Sequence, residues 1–244
     1  MNRSNPATIV MAKVPRPGTV KTRLRPLLSD TQCAELAACF LRDTVAKAAR
    51  LTPNVVIAYS PDDGQAEIAA LLPGQRLYIA QKGVDLGERL QSAVAVSETL
   101  GFGPIVVVGT DSPTLPDEYI HAAFKHLAVN EKGIAVGPAD DGGYYLIGMS
   151  RAESELFRGI EWSSQRVFEQ TMANARNIPE SRIIELSRWY DVDTADDLAR
   201  LCIELEADEN ARPRAPETFR WIAAHRELFA LAAGAMESFP RLTG

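Results

Sequence analysis

Basic side chains crowd the segment that follows the first apolar run of the sequence. Four cations and a glycine fall within eleven residues: Lys13, Arg16, Gly18, Lys21 and Arg23. Arginine supplies a fork of hydrogen-bond donors, lysine supplies a point charge, and glycine lets the backbone approach a ligand closely. The spacing matches neither the GxxxxGK[ST] phosphate loop nor the dinucleotide GxGxxG motif. The segment predicts a site for a compact polyanion such as a triphosphate; the alternative is a solvated basic loop.

Aspartates follow two of the other apolar runs. Asp111 comes after the run PIVVVG, and Asp191 and Asp193 come after the run RIIEL. In an extended segment a spacing of two residues places both carboxylates on one side, where they repel each other unless a cation lies between them. Mg²⁺ prefers such oxygen ligands and shares them with substrate phosphates. Asp111 and Asp193 could instead cap turns or helices, but the three acids are candidate ligands for Mg²⁺ or Mn²⁺.

A glycine-rich turn and a serine pair provide further polar groups. Their residues are Asp140, Asp141, Gly142, Gly143, Ser163 and Ser164. Free amides and hydroxyls at such positions can bind an acceptor that carries an anionic group. The alternatives are an ordinary Asp-Gly hairpin turn and a simple serine N-cap. We therefore treat these residues as candidates for an acceptor site.

The elements that must position these residues alternate along the chain. Short β-branched runs predict buried strands over 7–14, 54–60, 76–81, 104–109, 133–137, 144–148 and 182–186. Apolar periodicity and capping residues predict helices over 29–50, 65–72, 85–100, from 116, over 163–175 and over 194–206. This alternation is typical of βαβ units around a mostly parallel sheet, in which ligands bind beyond the carboxyl ends of the strands.

The predicted fold is therefore α/β, a Rossmann-like three-layer αβα sandwich with a mostly parallel mixed sheet. We expect it to form one domain over residues 1–208. Residues 208–216 contain two prolines and four charges and are interpreted as a linker. A last helix is expected from Pro216 to about Met236. It has apolar residues on more than one side, so it packs either on the domain or on a second chain of a homodimer.

The composition excludes several functional classes. The chain has 244 residues, of which 26 are basic and 32 acidic, for a net charge of −6. A duplex-binding surface needs many net positive contacts, so a general nucleic-acid binder is not expected. The longest apolar runs fall far short of the ~20 residues of a membrane span, and no signal peptide is recognisable. Three cysteines without a CxxC pair fit reduced thiols in a cytoplasmic protein.

Charge is nevertheless distributed unevenly. The first 29 residues hold six basic and no acidic side chains, which leaves a net charge of −12 on the remainder. A small basic site on an acidic protein suits a compact anion such as a phosphate chain. The expected partners are therefore a nucleotide and a small acceptor.

Six motifs occur together: KVPRPGTVKTRL, QKGVDLGERL, GTDSPTLP, GPADDGGYYLIG, WSS and WYDVDTADDL. The set resembles a bacterial family of the GT-A, or nucleotide-diphospho-sugar transferase, superfamily, whose members are often labelled glycosyltransferases. It is also similar to phospholactate guanylyltransferase and to the molybdenum-cofactor nucleotidyltransferases. The resemblance covers roughly residues 7–200 and implies a fold of the GT-A type.

The resemblance also implies roles for individual residues. The nucleotide phosphates would be bound by Lys13, Arg16, Gly18, Thr19, Lys21 and Arg23. The nucleobase would lie near Gln81, Gly83 and Gly87. Acids that match Asp111, Asp191 and Asp193 hold divalent metals in the related guanylyltransferases, and the glycine turn and serine pair would hold a phosphorylated acceptor.

The function that follows is a Mg²⁺-dependent nucleotidyltransferase. An acceptor oxyanion would attack the α-phosphorus of an NTP and pyrophosphate would leave, with Lys21, Arg23 and Asp111 as the catalytic candidates. The alternative is a glycosyltransferase that uses a nucleotide-sugar, in which Asp140 or Asp141 would activate a hydroxyl group. A third hypothesis is that the protein is a regulatory module that binds a nucleotide and has no catalytic activity.

Overall fold

The computed structural model describes residues 5–228, and seven strands in this range form one sheet. The strands are β1 (Ala7–Lys13), β2 (Asn54–Ser60), β3 (Leu77–Ala80), β4 (Ile105–Val108), β5 (Gly133–Pro138), β6 (Tyr144–Met149) and β7 (Arg182–Glu185). Their order in the sheet is β3-β2-β1-β4-β6-β5-β7. β6 runs antiparallel to β4 and β5, whereas the other pairings of these strands are parallel. The sheet is thus mixed and mostly parallel, as predicted.

Helices cover both faces of the sheet. They are α1 (Asp30–Leu51), α2 (Gln65–Leu71), α3 (Leu86–Thr99), α4 (Asp117–Val129), α5 (Val167–Asn177), α6 (Ala195–Ala207), α7 (Ala211–Arg214) and α8 (Pro216–Ala224). Successive residues of β1 show burial on both sides: Val10 belongs to the core shared with α1, α2 and α4, and Ile9 to the core shared with α3 and α5. This burial explains the continuous apolar runs, and it confirms the predicted three-layer Rossmann-like fold.

Three helices begin where side chains in the sequence can cap them. Ser29 and Gln32 form a capping box at the start of α1, in which the Ser29 hydroxyl accepts from the Gln32 amide at 3.3 Å. Thr194 and Asp197 form the same arrangement at the start of α6. Asp85 caps α3 by accepting from a backbone amide at 2.8 Å. Because these caps are local, their positions are predictable from sequence.

The helix α5 begins later than the sequence predicted. The prediction placed its start at Ser163, but the helix runs from Val167. Ser163 has a left-handed backbone with φ 66°, which is not a helical conformation. The Ser164 hydroxyl accepts from the Arg166 amide at 3.2 Å within the preceding turn, and Arg166 itself occupies the N-cap position. The serine pair is therefore not the N-cap of this helix.

The segment predicted as a linker is folded. It contains the short helix α7, and Ala211 and Ala215 are fully buried. Both belong to a third core, in which residues of α6, α7 and α8 pack against α1. Small apolar side chains at these two positions let the segment pack closely, although its prolines and charges suggested exposure.

The helix α8 receives its N-terminal cap from α1. Asp43 of α1 is 1% exposed, and its carboxylate accepts from the backbone amides of Glu217 and Thr218 at 2.9 and 2.8 Å. The Thr218 hydroxyl also donates to it at 2.6 Å. α8 ends at Ala224, and the remainder of the predicted last helix, up to Met236, falls largely outside the described residues.

The order of the strands reverses between β1 and β4. From β1 the sheet continues through β2 to β3, and from β4 it continues through β6 to β5 and β7. The carboxyl ends of β1 and β4 lie side by side because the two strands are parallel. A crevice outside such a switch point is the usual ligand site of open α/β sheets. Among residues 5–228, no helix is long and apolar enough to cross a bilayer.

Candidate active site

An open cleft of about 480 Å³ lies at this switch point. It is lined by residues that follow β1, β3, β4 and β7 in the sequence. Its predicted site residues are Lys13, Thr19, Lys21, Arg23, Gln81, Asp111, Asp191 and Asp193. Basic and acidic groups that are distant in the sequence are thus brought to one place.

Lys21 occupies the centre of the acidic group. Its backbone is left-handed, with φ 48°, and its side chain is 6% exposed. The ammonium group donates to Asp111 Oδ1, to Asp193 Oδ1 at 3.0 Å and to the Val192 carbonyl at 2.8 Å. Burial alone would lower the pKa of Lys21, but the two carboxylates outweigh burial and raise the pKa above its usual value. The lysine is therefore firmly cationic.

The two loops that carry these acids are joined to each other. The Val192 amide donates to the Asp111 carbonyl at 2.8 Å, which links the segment after β4 to the segment after β7. The Asp193 amide in turn donates to Asp197 Oδ2 at 3.2 Å, close to the cap of α6. The side chains of Asp111 and Asp193 are 46% and 41% exposed, so both carboxylates remain open to the cleft.

Asp191 has a different environment. Its Oδ1 accepts from the Ser112 hydroxyl at 2.5 Å. Burial is the main cause that raises the pKa of Asp191 to about 7, and the charges of Asp111, Asp141 and Asp193 raise it further, against the effect of the serine. The carboxylates of the cleft therefore repel one another, and Lys21 compensates only part of their charge.

The oxygen donors of the cleft fit a cation, and the role of all three aspartates as metal ligands stays a prediction. Within residues 5–228, no group of three or more His, Cys, Asp or Glu side chains is arranged to hold a metal ion. Asp111, Asp193 and the Val192 carbonyl nevertheless already surround one positive charge, the Lys21 ammonium. Hard oxygen donors of this kind are the ligands of Mg²⁺. Asp191 lies beside this shell, held by its serine.

Arg16 and Gly18 do not line the cleft. The Arg16 guanidinium turns toward the region of α2, where it donates to Asp63 at 2.9 Å and to Glu67 at 2.6 Å. Gly18 has φ +80°, a left-handed conformation that favours glycine, and its carbonyl accepts from Arg25 at 3.3 Å. The structure thus gives Arg16 an ion pair and Gly18 a turn, and their contacts with phosphate stay a prediction.

The segment predicted to lie near a nucleobase is only partly in the cleft. The Gln81 side-chain amide donates to the carbonyls of Ala12 and Ala58 at 3.2 and 2.8 Å, which fixes Gln81 against the ends of β1 and β2. Gly83 and Gly87 do not line the cleft. A Cβ atom on Gly87 would lie 2.7 Å from the Trp162 ring, so the glycine lets α3 approach this tryptophan closely.

The predicted acceptor residues lie outside the cleft lining, around the hairpin between β5 and β6. Polar groups of the hairpin already have partners: the Gly143 amide donates to Asp141 Oδ1 at 2.8 Å, and Asp140 pairs with Arg200 of α6 at 2.7 Å. Gly142 has φ +89°, and a Cβ atom there would lie 2.2 Å from the Gln165 carbonyl oxygen. The hairpin is therefore a tightly packed turn, and its role in binding an acceptor stays a prediction.

A family match covers the middle of the chain. Residues 43–164 match the family described as "Uncharacterized protein conserved in bacteria (DUF2064)". The chain belongs to the DUF2064 family. This match spans half of the sequence and includes the QKGVDLGERL, GTDSPTLP and GPADDGGYYLIG motifs. No curated protein sequence matches this DUF2064 protein significantly.

Solved structures share the fold of this DUF2064 protein. A protein named as a nucleotide-diphospho-sugar transferase from Desulfovibrio desulfuricans G20 is 31% identical, with a TM-score of 0.84 over 93% of this chain and 98% of that one. A 4-diphosphocytidyl-2C-methyl-D-erythritol synthase from Anaerococcus prevotii DSM 20548 is 8% identical, with a TM-score of 0.54 over 82% and 96% of the two chains. The second likeness concerns the fold alone. The comparisons confirm the resemblance to GT-A-like proteins and support a transferase.

Several residues of this DUF2064 protein reach the cleft without having been predicted. The chemically important ones are Arg89, Ser112, Tyr144 and Tyr145. Arg89 belongs to the motif QKGVDLGERL and lies in the first turns of α3, where its Nε donates to the Gly83 carbonyl at 3.2 Å. Its positive charge and its position in that motif were the features of the sequence that could have predicted its place in the cleft. Tyr144 and Tyr145 directly follow the glycine-rich turn and extend the cleft toward it.

Proposed function

We propose that this DUF2064 protein is a Mg²⁺-dependent nucleotidyltransferase. It moves a nucleoside monophosphate from a nucleoside triphosphate to a small phosphorylated acceptor and releases pyrophosphate. The observation that carries the proposal is a single cleft in which basic side chains meet a group of carboxylates at the switch point of the sheet. A triphosphate with its divalent cation requires both kinds of group, since the phosphates need cationic donors and the metal needs oxygen ligands.

The basic residues of the cleft bind and orient the polyphosphate. Lys13 and Arg23 are exposed at its rim, Lys21 lies inside it, and Arg89 adds a charge from α3. These groups neutralise the charge that develops on the departing pyrophosphate, so that catalysis is mainly electrostatic and positional. By analogy with a single oxyanion-hole donor, loss of one of them lowers the rate about 10²–10³-fold.

The acids of the cleft are the residues that would hold Mg²⁺. Asp111 and Asp193 present half-exposed carboxylates, and Asp191 supports them with a third carboxylate that Ser112 holds in place. When bound, the metal ion supplies charge stabilisation at the attacking and leaving oxygens. A phosphorylated acceptor is already ionised, so no general base is needed. The turn at 140–143 and the serines 163–164 stay the proposed acceptor site, next to Tyr144 and Tyr145.

The experiment is a pyrophosphate-release assay on the purified protein. Each NTP is supplied with Mg²⁺ and a panel of small phosphorylated acids, and pyrophosphate is measured with and without EDTA. Release that requires an NTP, an acceptor and the metal supports the proposal, and Asp111→Asn should slow this release about 10²–10³-fold. Nucleotide binding without turnover on any acceptor would favour a regulatory module instead.

A second candidate is a glycosyltransferase that uses a nucleotide-sugar. It is favoured by the name of the 31% identical Desulfovibrio protein, a nucleotide-diphospho-sugar transferase. In that case the cations would neutralise a departing nucleoside diphosphate, and Asp140 or Asp141 would activate an acceptor hydroxyl. Release of nucleoside diphosphate from a nucleotide-sugar, with no pyrophosphate from any NTP, would reject the first proposal in favour of this one.

A further inference from the structure

Lys21 lies where a bound cation would lie. Its ammonium group is surrounded by oxygens of Asp111, Val192 and Asp193, and it also stands 5.4 Å from the centre of the Phe40 ring. The lysine side chain is 6% exposed, whereas the two carboxylate side chains are 46% and 41% exposed. The lysine therefore approaches the acids from the protein interior and leaves them open to the cleft.

The lysine does not balance the charge of its shell. Asp111 and Asp193 carry two negative charges against the single charge of Lys21. Asp191 interacts electrostatically with both of these carboxylates, and it also interacts with Asp141. A divalent cation prefers the same oxygen donors and would neutralise both carboxylates. The shell is thus complementary to a stronger cation than the one it holds.

We propose that Lys21 is a resident counter-ion that exchanges places with a divalent cation. Without nucleotide, its ammonium group neutralises Asp111 and Asp193. When a nucleotide and its divalent cation bind, the metal ion takes the two carboxylates and Lys21 pairs with the phosphates. The second half of this exchange rests on the proposed function, because it needs a polyphosphate in the cleft; the competition between lysine and metal does not.

The pairing of charges explains why the metal ion should replace Lys21 at the carboxylates instead of binding beside it. An interior ammonium group without a partner is unfavourable, and so are two facing carboxylates without a cation between them. An incoming metal–polyphosphate pair supplies a replacement for each partner at the same time. A metal ion alone must instead displace Lys21 and leave it unpaired, so the nucleotide-free protein binds divalent cations weakly.

This competition has an unusual consequence for a basic residue of a phosphate site. Removal of Lys21 should strengthen the binding of a free divalent cation. We would titrate the nucleotide-free protein with Mn²⁺ alone and count free Mn²⁺ by electron paramagnetic resonance. Lys21→Met should lower the Kd for Mn²⁺ at least about tenfold relative to the wild type, because two carboxylates lose their internal cation.

Lys13→Met is the matched control, since Lys13 lines the same cleft and forms no ion pair with a carboxylate of residues 5–228. It removes the same charge by the same substitution and should leave the Kd for Mn²⁺ within about twofold, because the Lys13 side chain is exposed and salt and solvent screen its charge. In the double variant Lys21→Met with Asp193→Asn, the gain in Mn²⁺ affinity should disappear. If Lys21→Met does not fold, Lys21→Gln is measured in its place and should show the same gain.

The exchange is overturned if neither Lys21 variant binds Mn²⁺ more tightly than the wild type, or if Lys13→Met gains as much. These readouts are independent of turnover. If Lys21→Met binds Mn²⁺ more tightly but the wild type releases no pyrophosphate, the competition between lysine and metal is supported and the proposed function is rejected. If the wild type releases pyrophosphate but neither Lys21 variant binds Mn²⁺ more tightly, the proposed function is supported and the competition is rejected.

Discussion

The basic side chains predicted to bind phosphate differ in whether a carboxylate already pairs with them. Lys21 is tied to two carboxylates, and Arg16 is tied to Asp63 and Glu67 outside the cleft. Arg23 is exposed and lines the cleft. A polyphosphate gains most from a cation that has no other partner, because no existing ion pair must be broken. The residue type alone does not separate these cases.

Replacement of Asp111 tests whether this carboxylate acts in catalysis. Asp111→Asn should lower the rate of pyrophosphate release by about 10²–10³-fold, as the loss of one preorganised charge does in other sites. The unfolding free energy should fall by no more than about 1 kcal/mol, because the carboxylate is half-exposed and Lys21 keeps Asp193. Turnover and thermal unfolding are measured on the same sample. A large loss of stability would mean that Asp111 is structural.

Arg16 and Arg23 form a matched pair for nucleotide binding. Arg23→Ala should raise the Kd for an NTP about tenfold, as expected for one charge-assisted contact with phosphate. Arg16→Ala should change it less than about twofold, since that guanidinium is occupied by two carboxylates. Isothermal titration with a non-hydrolysable NTP measures both values. Equal losses in the two variants would show that Arg16 leaves its ion pairs to reach the ligand.

Among the helices, α1 connects the cleft with the rest of the molecule. Its Lys47 is 2% exposed and donates to the carbonyls of Pro113 and Leu115, at 2.9 Å and 2.5 Å, in the loop that carries Asp111. One turn earlier, Asp43 caps α8. Both side chains satisfy backbone groups that their own segments leave without partners, so the helix holds two distant segments in place.

The Asp43 cap can be tested at the level of one helix. Asp43→Ala removes the acceptor of two amides and a hydroxyl, and it should lower the unfolding free energy by about 1–3 kcal/mol. Hydrogen exchange at the amides of Glu217 and Thr218 should accelerate, because both lose their bond to the carboxylate. Glu118→Ala, at an exposed position in the first turn of α4, serves as the control and should change neither quantity.

The molecule has a net charge of −6, although several lysine and arginine side chains line its cleft. One more basic side chain, that of Lys47, is buried in the interior of the fold. Burial lowers the pKa of Lys47 from 10.5 to about 7, although Asp117 and Asp43 act in the opposite direction. The unfolded chain then holds this proton more tightly than the folded chain between pH 7 and pH 10.5. This difference links the stability of the entire domain to pH.

The stability of the wild type should therefore rise as the pH increases from 7 to 9. Over this range Lys47 loses its proton in the folded state and keeps it in the unfolded state, and its contribution amounts to about 2 kcal/mol. Urea unfolding at the two pH values should show that Lys47→Met removes most of the increase. Lys125→Met, at an exposed position of α4, should keep it. An unchanged pH dependence in Lys47→Met would show that the folded protein keeps this lysine protonated.

The layers of the fold, and the edge of the sheet where the cleft lies, follow from patterns in the sequence. Continuous apolar runs require strands buried on both faces, and local caps such as Ser29 with Gln32 mark the starts of helices. Parallel strands then bring their carboxyl ends to one edge, so residues that follow β1, β4 and β7 had to lie along the same edge of the sheet. These properties depend on periodicity or on neighbours in the sequence.

Which charged side chains form pairs depends on the three-dimensional packing of the elements. Lys21 reaches Asp111 and Asp193 across separations of 90 and 172 residues, while Arg16 turns away to acids that follow β2. The sequence also gave no sign that Asp43 caps α8, or that the proline-containing segment before α8 folds into the core. Side-chain partners at such distances are set by the packing of elements, and packing is decided by geometry that periodicity does not contain.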